Sequence, residues 1–256
     1  YAFLDDAPLE ERRAHAVHTR RSSGDQDTIA LGVLDGSAIA MVRDEAAPDP
    51  RDEDELHDTL VTVGFLTAAE VSRDGEWQPL FDALAHGGRA TRARAPGWPS
   101  AVWVAAERLP ELRAIDRAVV LDPAIDAPPL RAAVVWTRDT AAVELLRGRL
   151  GVLGPVTPRG LGEPIGLTAD ESSTALLALE SEGVVLRGWF SPGGVEQEWC
   201  DRRLLARIHR ATLQRLRAEI QPVSVADCMR FLFEWQHLTE SSRVTGIEGL
   251  RKVVGQ

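Results

Sequence analysis

Apolar residues return at helical spacing through three early stretches of the chain. GSAIAMVRDEAAP (36–48) halts at Pro48, DEDELHDTLVTVGFL (52–66) near Gly64, and WQPLFDALAHGG (77–88) at a glycine pair. Each is predicted to be a helix, because proline and glycine end helices for steric and entropic reasons. DDAPLEERRAHAVHTRR (5–21) adds a fourth, with a proline just inside an acidic start and arginines at its end, the charge order a helix dipole favours. From about residue 96 the pattern changes. SAVWVAAERL (100–109) and LRAAVVWT (130–137) are short runs rich in β-branched and aromatic residues and are predicted as strands. They flank ERLPELRAI (107–115), a short helical insert, and the proline-bearing loop DPAIDAPP (122–129).

Beyond Asp139 the order of elements becomes specific. DTAAVELLRGRLGVLGPVT is an amphipathic helix and turn, PRGLGEPIGL a short second element, and TADESSTALLALESEG a third helix with Thr168 or Asp170 as N-cap and Gly183 as its stop. VVLRGWF, SPGG and VEQEWC then form a hairpin tipped by Ser191–Gly194. Three helices followed by a two-stranded ribbon is the order of a winged helix, with an unrelated helix pair plus hairpin as the alternative. Winged helices also serve as protein-binding modules, so the fold alone does not establish DNA contact.

Glu198–Ile220 is predicted as one helix. At about 100° per residue, Leu204, Leu205, Ile208, Leu216 and Ile220 share one side with Leu213 at its edge, while Arg203, Arg207, Arg210, Gln214 and Arg217 line the other. A solvated face is the ordinary explanation for charges on a helix. Here the stripe contains no acid at i+4, and it follows a wing that carries Arg187 and Trp189. Guanidinium groups in a row suit phosphates, and an aromatic ring offers a stacking surface for an unpaired base. Trp235, Gln236 and His237 in FEWQHL are further candidates for DNA contact. Against them, Phe231, Phe233 and Trp235 are spaced as core residues would be, and His237 suits a helix cap.

Composition narrows the classes. The 256 residues are 44% hydrophobic and 27% charged, which fits a globular chain with room for a sizeable core. The net charge of -10 argues against a protein that coats nucleic acid over its whole surface, and leaves room for one basic groove. Much of the acid lies in RDEAAPDPRDEDELHD (43–58), where a solvated face or linker is expected. Lys252 is the only lysine and is followed by Val253, so there is no P-loop lysine with its Ser or Thr. DELH (54–57) imitates a helicase acidic box but lacks the apolar strand that would place it, and reads as the acidic first turn of a helix. Cys200 and Cys228 form no C-x-x-C, so neither a disulfide framework nor a zinc site is expected. His15 and His18 are expected on a surface rather than on a metal. No apolar run is long enough to cross a bilayer and the first residues lack a signal pattern, so a cytoplasmic, nucleoid-associated protein is expected.

ALLALESEGVVLRGWF, together with EWCDRRLLARIHRATLQRLRAEIQPVSVADCMRFLFEWQHL, resembles the helicase-associated region of the Lhr family, large helicase-related superfamily 2 proteins. YAFLDDAPLEERRAHAVHTRR and RDEDELHDTLVTVGFL resemble the segment after the motor and first winged-helix domains, so the resemblance covers nearly the whole chain. It implies the C-terminal module of a helicase core. ATP and magnesium would belong to motor domains elsewhere in the parent protein, with no cofactor in this segment. Family members translocate 3′ to 5′ on single-stranded DNA, unwind duplexes and RNA:DNA hybrids, and are connected with DNA repair. RGRF is expected in the family's wing where this chain has RGWF, so Trp189 carries no role from the resemblance. The family's module is also similar to bacterial DNA glycosylases with a Q-x-Q signature, which is absent here.

Together these readings predict an α+β chain. Residues 1–95 form a helical module, 96–138 a strand-rich middle that could close as a barrel, 139–200 a winged-helix-like module, and 201–256 a C-terminal helical segment carrying the arginine stripe. The expected function is a DNA-binding accessory module of an ATP-dependent 3′–5′ translocase, partnered by single-stranded DNA or RNA:DNA hybrid and by the motor domains and first winged helix of its own parent chain. The alternatives are a glycosylase-like domain acting on damaged bases and a structural clamp for the motor.

Overall fold

The computed structural model describes residues 34–72, 77–219 and 223–254. The stretch 5–21, with His15 and His18, lies outside the described residues. The fold is α+β. The chain divides into two compact units, one ending at Thr212 and one beginning at Leu213.

The first unit is organised by a small sheet with a core on each face. Helix α1 (Gly36–Ala46) starts at Asp35, whose carboxylate accepts from Ala38 N–H at 2.8 Å. Helix α2 (Glu53–Val63) is capped by Asp52 and ends at Gly64, where φ of 94° suits only glycine without strain. DELH thus sits in a helical first turn, with Asp54 paired to Arg89 at 2.7 Å and His57 Nε2 3.1 Å from Glu107. Strand β1 (Leu66–Thr67), helices α3 (Ala68–Val71) and α4 (Trp77–His86), and strands β2 (Ala90–Arg94) and β3 (Val102–Ala105) follow. After α5 (Leu109–Ile115), strand β4 (Val120–Asp122) completes an antiparallel sheet of order β1-β3-β2-β4. Strand β3 shows why this sheet is central: Val102 and Val104 point into one core, Trp103 and Ala105 into the other, and all four are buried.

The middle segment departs from expectation in two ways. LRAAVVWT is not a strand: Pro128 and Pro129 start a helical turn, α6 (Pro129–Ala132), and Leu130 and Val135 are 88% and 92% exposed. A barrel does not form either. The sheet stays open among the described residues, because its edges, two-residue β1 and three-residue β4, never pair with each other.

Helix α7 (Arg138–Leu153) packs on α2, and one glycine sets the distance. A Cβ at Gly148 would lie 2.6 Å from the Thr62 carbonyl oxygen, so only glycine allows this approach. Beside it Arg149, 3% exposed, donates to the Phe65 carbonyl at 3.0 Å and to Glu70 at 2.6 Å. Burial alone would raise the Glu70 pKa, but the charge and hydrogen bond of Arg149 hold the carboxyl below its usual range. Helices α8 (Pro158–Gly162) and α9 (Ala169–Ser181) follow. Thr168 caps α9 in a reciprocal box with Glu171, whose carboxyl is held at about 2 chiefly by a hydrogen bond from Arg138. Gly183, at φ 76°, ends that helix, and β5 (Val185–Gly188) pairs with β6 (Glu198–Asp201) as an antiparallel hairpin. A bridge from Val156 to Trp199 ties the hairpin to the α7–α8 connection.

Helix α10 (Arg202–Glu219) leaves β6 directly. The second unit holds its last residues, then α11 (Val225–Trp235) and α12 (Gly246–Val254). No described helix is long and apolar enough to cross a membrane.

Candidate nucleic-acid interface

The arginine helix begins four residues later than the sequence suggested. Glu198, Trp199 and Cys200 are buried and pair with β5, so strand geometry wins there. Asp201 makes the switch: its Oδ1 accepts from the N–H groups of Arg203 and Leu204 at 2.7 and 3.2 Å. All five stripe residues still fall within α10. Leu204, Ile208 and Thr212 form its buried edge, and the two apolar residues join Leu34, Ile39, Val42 and Cys200 in a third core, where burial pushes the Cys200 thiol up to about 12. The buried face stops there. Leu216, expected inside, is 52% exposed, and Ile220 lies outside the described residues.

On the opposite side Arg203, Arg207, Arg210, Gln214 and Arg217 are all exposed. Steps of four, three, four and three residues keep them in one line, spanning about 21 Å at 1.5 Å per residue. Arg207 is engaged by another element: its Nη2 meets Glu45 of α1 at 2.7 Å. Arg203, Arg210 and Arg217 have no acidic side chain within ion-pair distance among the described residues. A surface pair such as Arg207–Glu45 is weak, in the range of about 0–1 kcal/mol, so that guanidinium can exchange its partner for a phosphate at small cost.

The hairpin supplies two further candidates. Arg187 lies opposite Trp199, with its guanidinium carbon 5.9 Å from the ring centroid and its Nε 3.3 Å from Glu180. Trp189 is 44% exposed. Glu198, which the sequence reading passed over, holds this region in place. Its buried carboxylate accepts from the N–H of Phe190 at 3.0 Å, the N–H of Ser191 at 2.8 Å and the Ser191 hydroxyl at 2.7 Å. Phe190 in turn packs on the third core and accepts through its carbonyl from Leu34 N–H. Trp189 is thereby set on a fixed loop. Its only sequence signal was an acid at the register position facing Gly188. Glu198→Ala should lower unfolding free energy by about 1–3 kcal/mol, because two backbone donors lose a charged acceptor. Urea unfolding measures the loss, and an unchanged midpoint would show the clasp to be idle.

In the second unit the three remaining candidates separate. Trp235 is 48% exposed and Gln236 is exposed at the end of α11. The core-like spacing of Phe231, Phe233 and Trp235 does not lead to burial: they are 62%, 44% and 48% exposed. His237 turns inward. It adopts a positive φ of 56°, its Nδ1 lies 2.8 Å from the Ser242 carbonyl, which fixes that nitrogen as the donor, and its Nε2 is buried without a hydrogen-bond partner among the described residues. No group of three or more His, Cys, Asp or Glu side chains is arranged to hold a metal ion among the described residues.

Comparison with known proteins adds a relative. No family model matches the chain. The whole chain aligns over 279 positions, at 29% identity, with a Mycolicibacterium smegmatis protein named "Lhr helicase/ probable uracil glycosylase". The chain is thus similar to an Lhr protein along its whole length. It spans 17% of the length of that Lhr relative. The name of the relative pairs a helicase with a glycosylase, and the match supports the resemblance to the Lhr family.

Proposed function

We propose that this chain is a DNA-binding accessory module of an ATP-dependent Lhr-family helicase, in which residues 139–200 act as a winged helix and α10 grips the sugar–phosphate backbone. The observation that carries the reading is the exposed line of Arg203, Arg207, Arg210, Gln214 and Arg217 on an otherwise acidic chain. Such a line neutralises phosphates and is indifferent to base identity. Arg187 and Trp189 on the hairpin are further contacts in this reading. The partners are single-stranded DNA or an RNA:DNA hybrid, together with motor domains and a first winged helix in the longer protein, where ATP and magnesium would be bound. The cellular setting is DNA repair at the nucleoid.

Two other readings have an observation each. The relative's name favours a glycosylase. Base excision needs a flipped base beside an activated water or nucleophile, whereas the strongly shifted carboxylate here, Glu171, is tied up by Arg138 and a helix cap. The Arg207–Glu45 pair favours a structural clamp. The deciding experiment is titration of labelled single-stranded, duplex and hybrid oligonucleotides across a salt series, with base release from uracil-containing strands assayed in parallel. The accessory module predicts salt-sensitive binding and no base release. Uracil release would support the glycosylase reading, and binding to none of the three nucleic acids would leave the clamp.

A further inference from the structure

Helix α11 carries a surface that neither the arginine stripe nor the wing accounts for. Its polar residues are confined to a narrow strip, Asp227, Arg230 and Glu234, and Arg230 is neutralised by Asp227 at 2.7 Å. Around the rest of the helix no described side chain is buried. Within this surface two rings are ordered against each other. Phe231 and Trp235, one turn apart, lie with centroids 6.4 Å apart and planes 7° from parallel, and both are largely open to solvent.

We propose that Phe231 and Trp235 form a stacking platform for consecutive unpaired nucleobases of a single strand. Two flat faces in the same orientation, offset by one helical turn, match the step between neighbouring nucleotides of an extended strand. Stacking on an aromatic ring tolerates any base, because every base has a π-face. The same unit also carries cations. Arg217 and Arg243 are exposed and have no acidic partner among the described residues, so a strand on the rings has cations to neutralise its backbone. His237 takes no part, since its ring is fastened to the Ser242 carbonyl. The inference rests on the DNA-binding reading above and adds to it the element that favours unpaired over paired strands.

The test compares the full chain with its Phe231→Leu/Trp235→Leu variant, which keeps an apolar surface and removes both flat faces. Binding is measured to a single-stranded oligonucleotide, to the same strand with abasic sites, and to duplex. Each lost stacking contact should weaken single-strand binding by roughly fivefold or more. Duplex binding and the salt slope should stay unchanged, because stacking releases no counterions. Abasic sites should cost the wild-type chain the same factor and the variant nothing further. The abasic strand also reports on the intact protein, so the outcome does not depend on how the variant folds. A chain that binds intact and abasic strands equally well overturns the platform and leaves the phosphate grip standing. Loss of self-association in the variant, with single-strand affinity preserved, overturns it in favour of a protein contact. Absence of any single-strand binding overturns both readings.

Discussion

Replacing Glu111 with alanine is expected to lower the unfolding free energy of the chain by about 3–5 kcal/mol, the usual cost of removing one partner from a buried ionic cluster. Glu111 lies on α5 with a fully buried side chain, and its Oε1 receives Arg108 at 3.2 Å and a closer Arg131. Arg108 is itself 12% exposed and also donates to the Val61 carbonyl at 2.7 Å, while Arg131 donates to the Glu107 carbonyl and sits 6.0 Å over Trp136. Glu111 thus connects α2, α5 and the 128–136 segment. Alanine leaves Arg108 beside an empty volume, with only the Val61 carbonyl and a longer contact to Glu144 at 3.6 Å to offset its charge. Arg131, 36% exposed, can reach solvent, which places the loss toward the lower end of the range. Glu111→Gln keeps the volume and one acceptor and should cost clearly less. Chemical denaturation of both variants measures the difference. A loss under about 1 kcal/mol in the alanine variant would mean that the cluster is idle.

Cluster and stripe differ in how far the sequence announced them. Helices with chemical punctuation were legible: Asp52 and Gly64 bracket α2, and Thr168, Glu171 and Gly183 bracket α9. The stripe was legible because the helical period alone fixes which side chains share a line. What depends on distant partners was not. Glu111 and Arg149 look like surface charges in sequence, and only the packing of α5 and α7 buries them. LRAAVVWT looks like a strand because an apolar run does not reveal whether anything covers it. Leu216 was assigned to a core by its phase on the wheel, yet it is 52% exposed, because helical phase fixes which side a residue takes and not whether anything covers that side. Glu45, 162 positions from Arg207, could not be named as its partner without coordinates.

The second large effect concerns binding. Changing Arg203, Arg207 and Arg210 together to alanine leaves the buried edge of α10 intact, and removes one exposed pair with Glu45 that contributes about 0–1 kcal/mol. Folding should therefore survive with a small change in midpoint. Each phosphate contact on a single strand contributes about 0.7 to the slope of log K against log salt, which near 0.1 M salt is about fivefold in affinity. Three contacts give a loss of about a hundredfold and a slope flatter by about 2. The loss should be alike for unrelated sequences, since phosphates carry no sequence information.

Single-strand affinity of this triple variant, measured by fluorescence anisotropy over a salt series beside a thermal unfolding scan, is the most direct test of the phosphate grip. A folded variant with weakened affinity, a flattened slope and equal losses on unrelated strands is the expected result. A folded variant with wild-type affinity and slope would contradict the claim that α10 holds nucleic acid, and a variant that unfolds would make the stripe a clamp between α1 and α10.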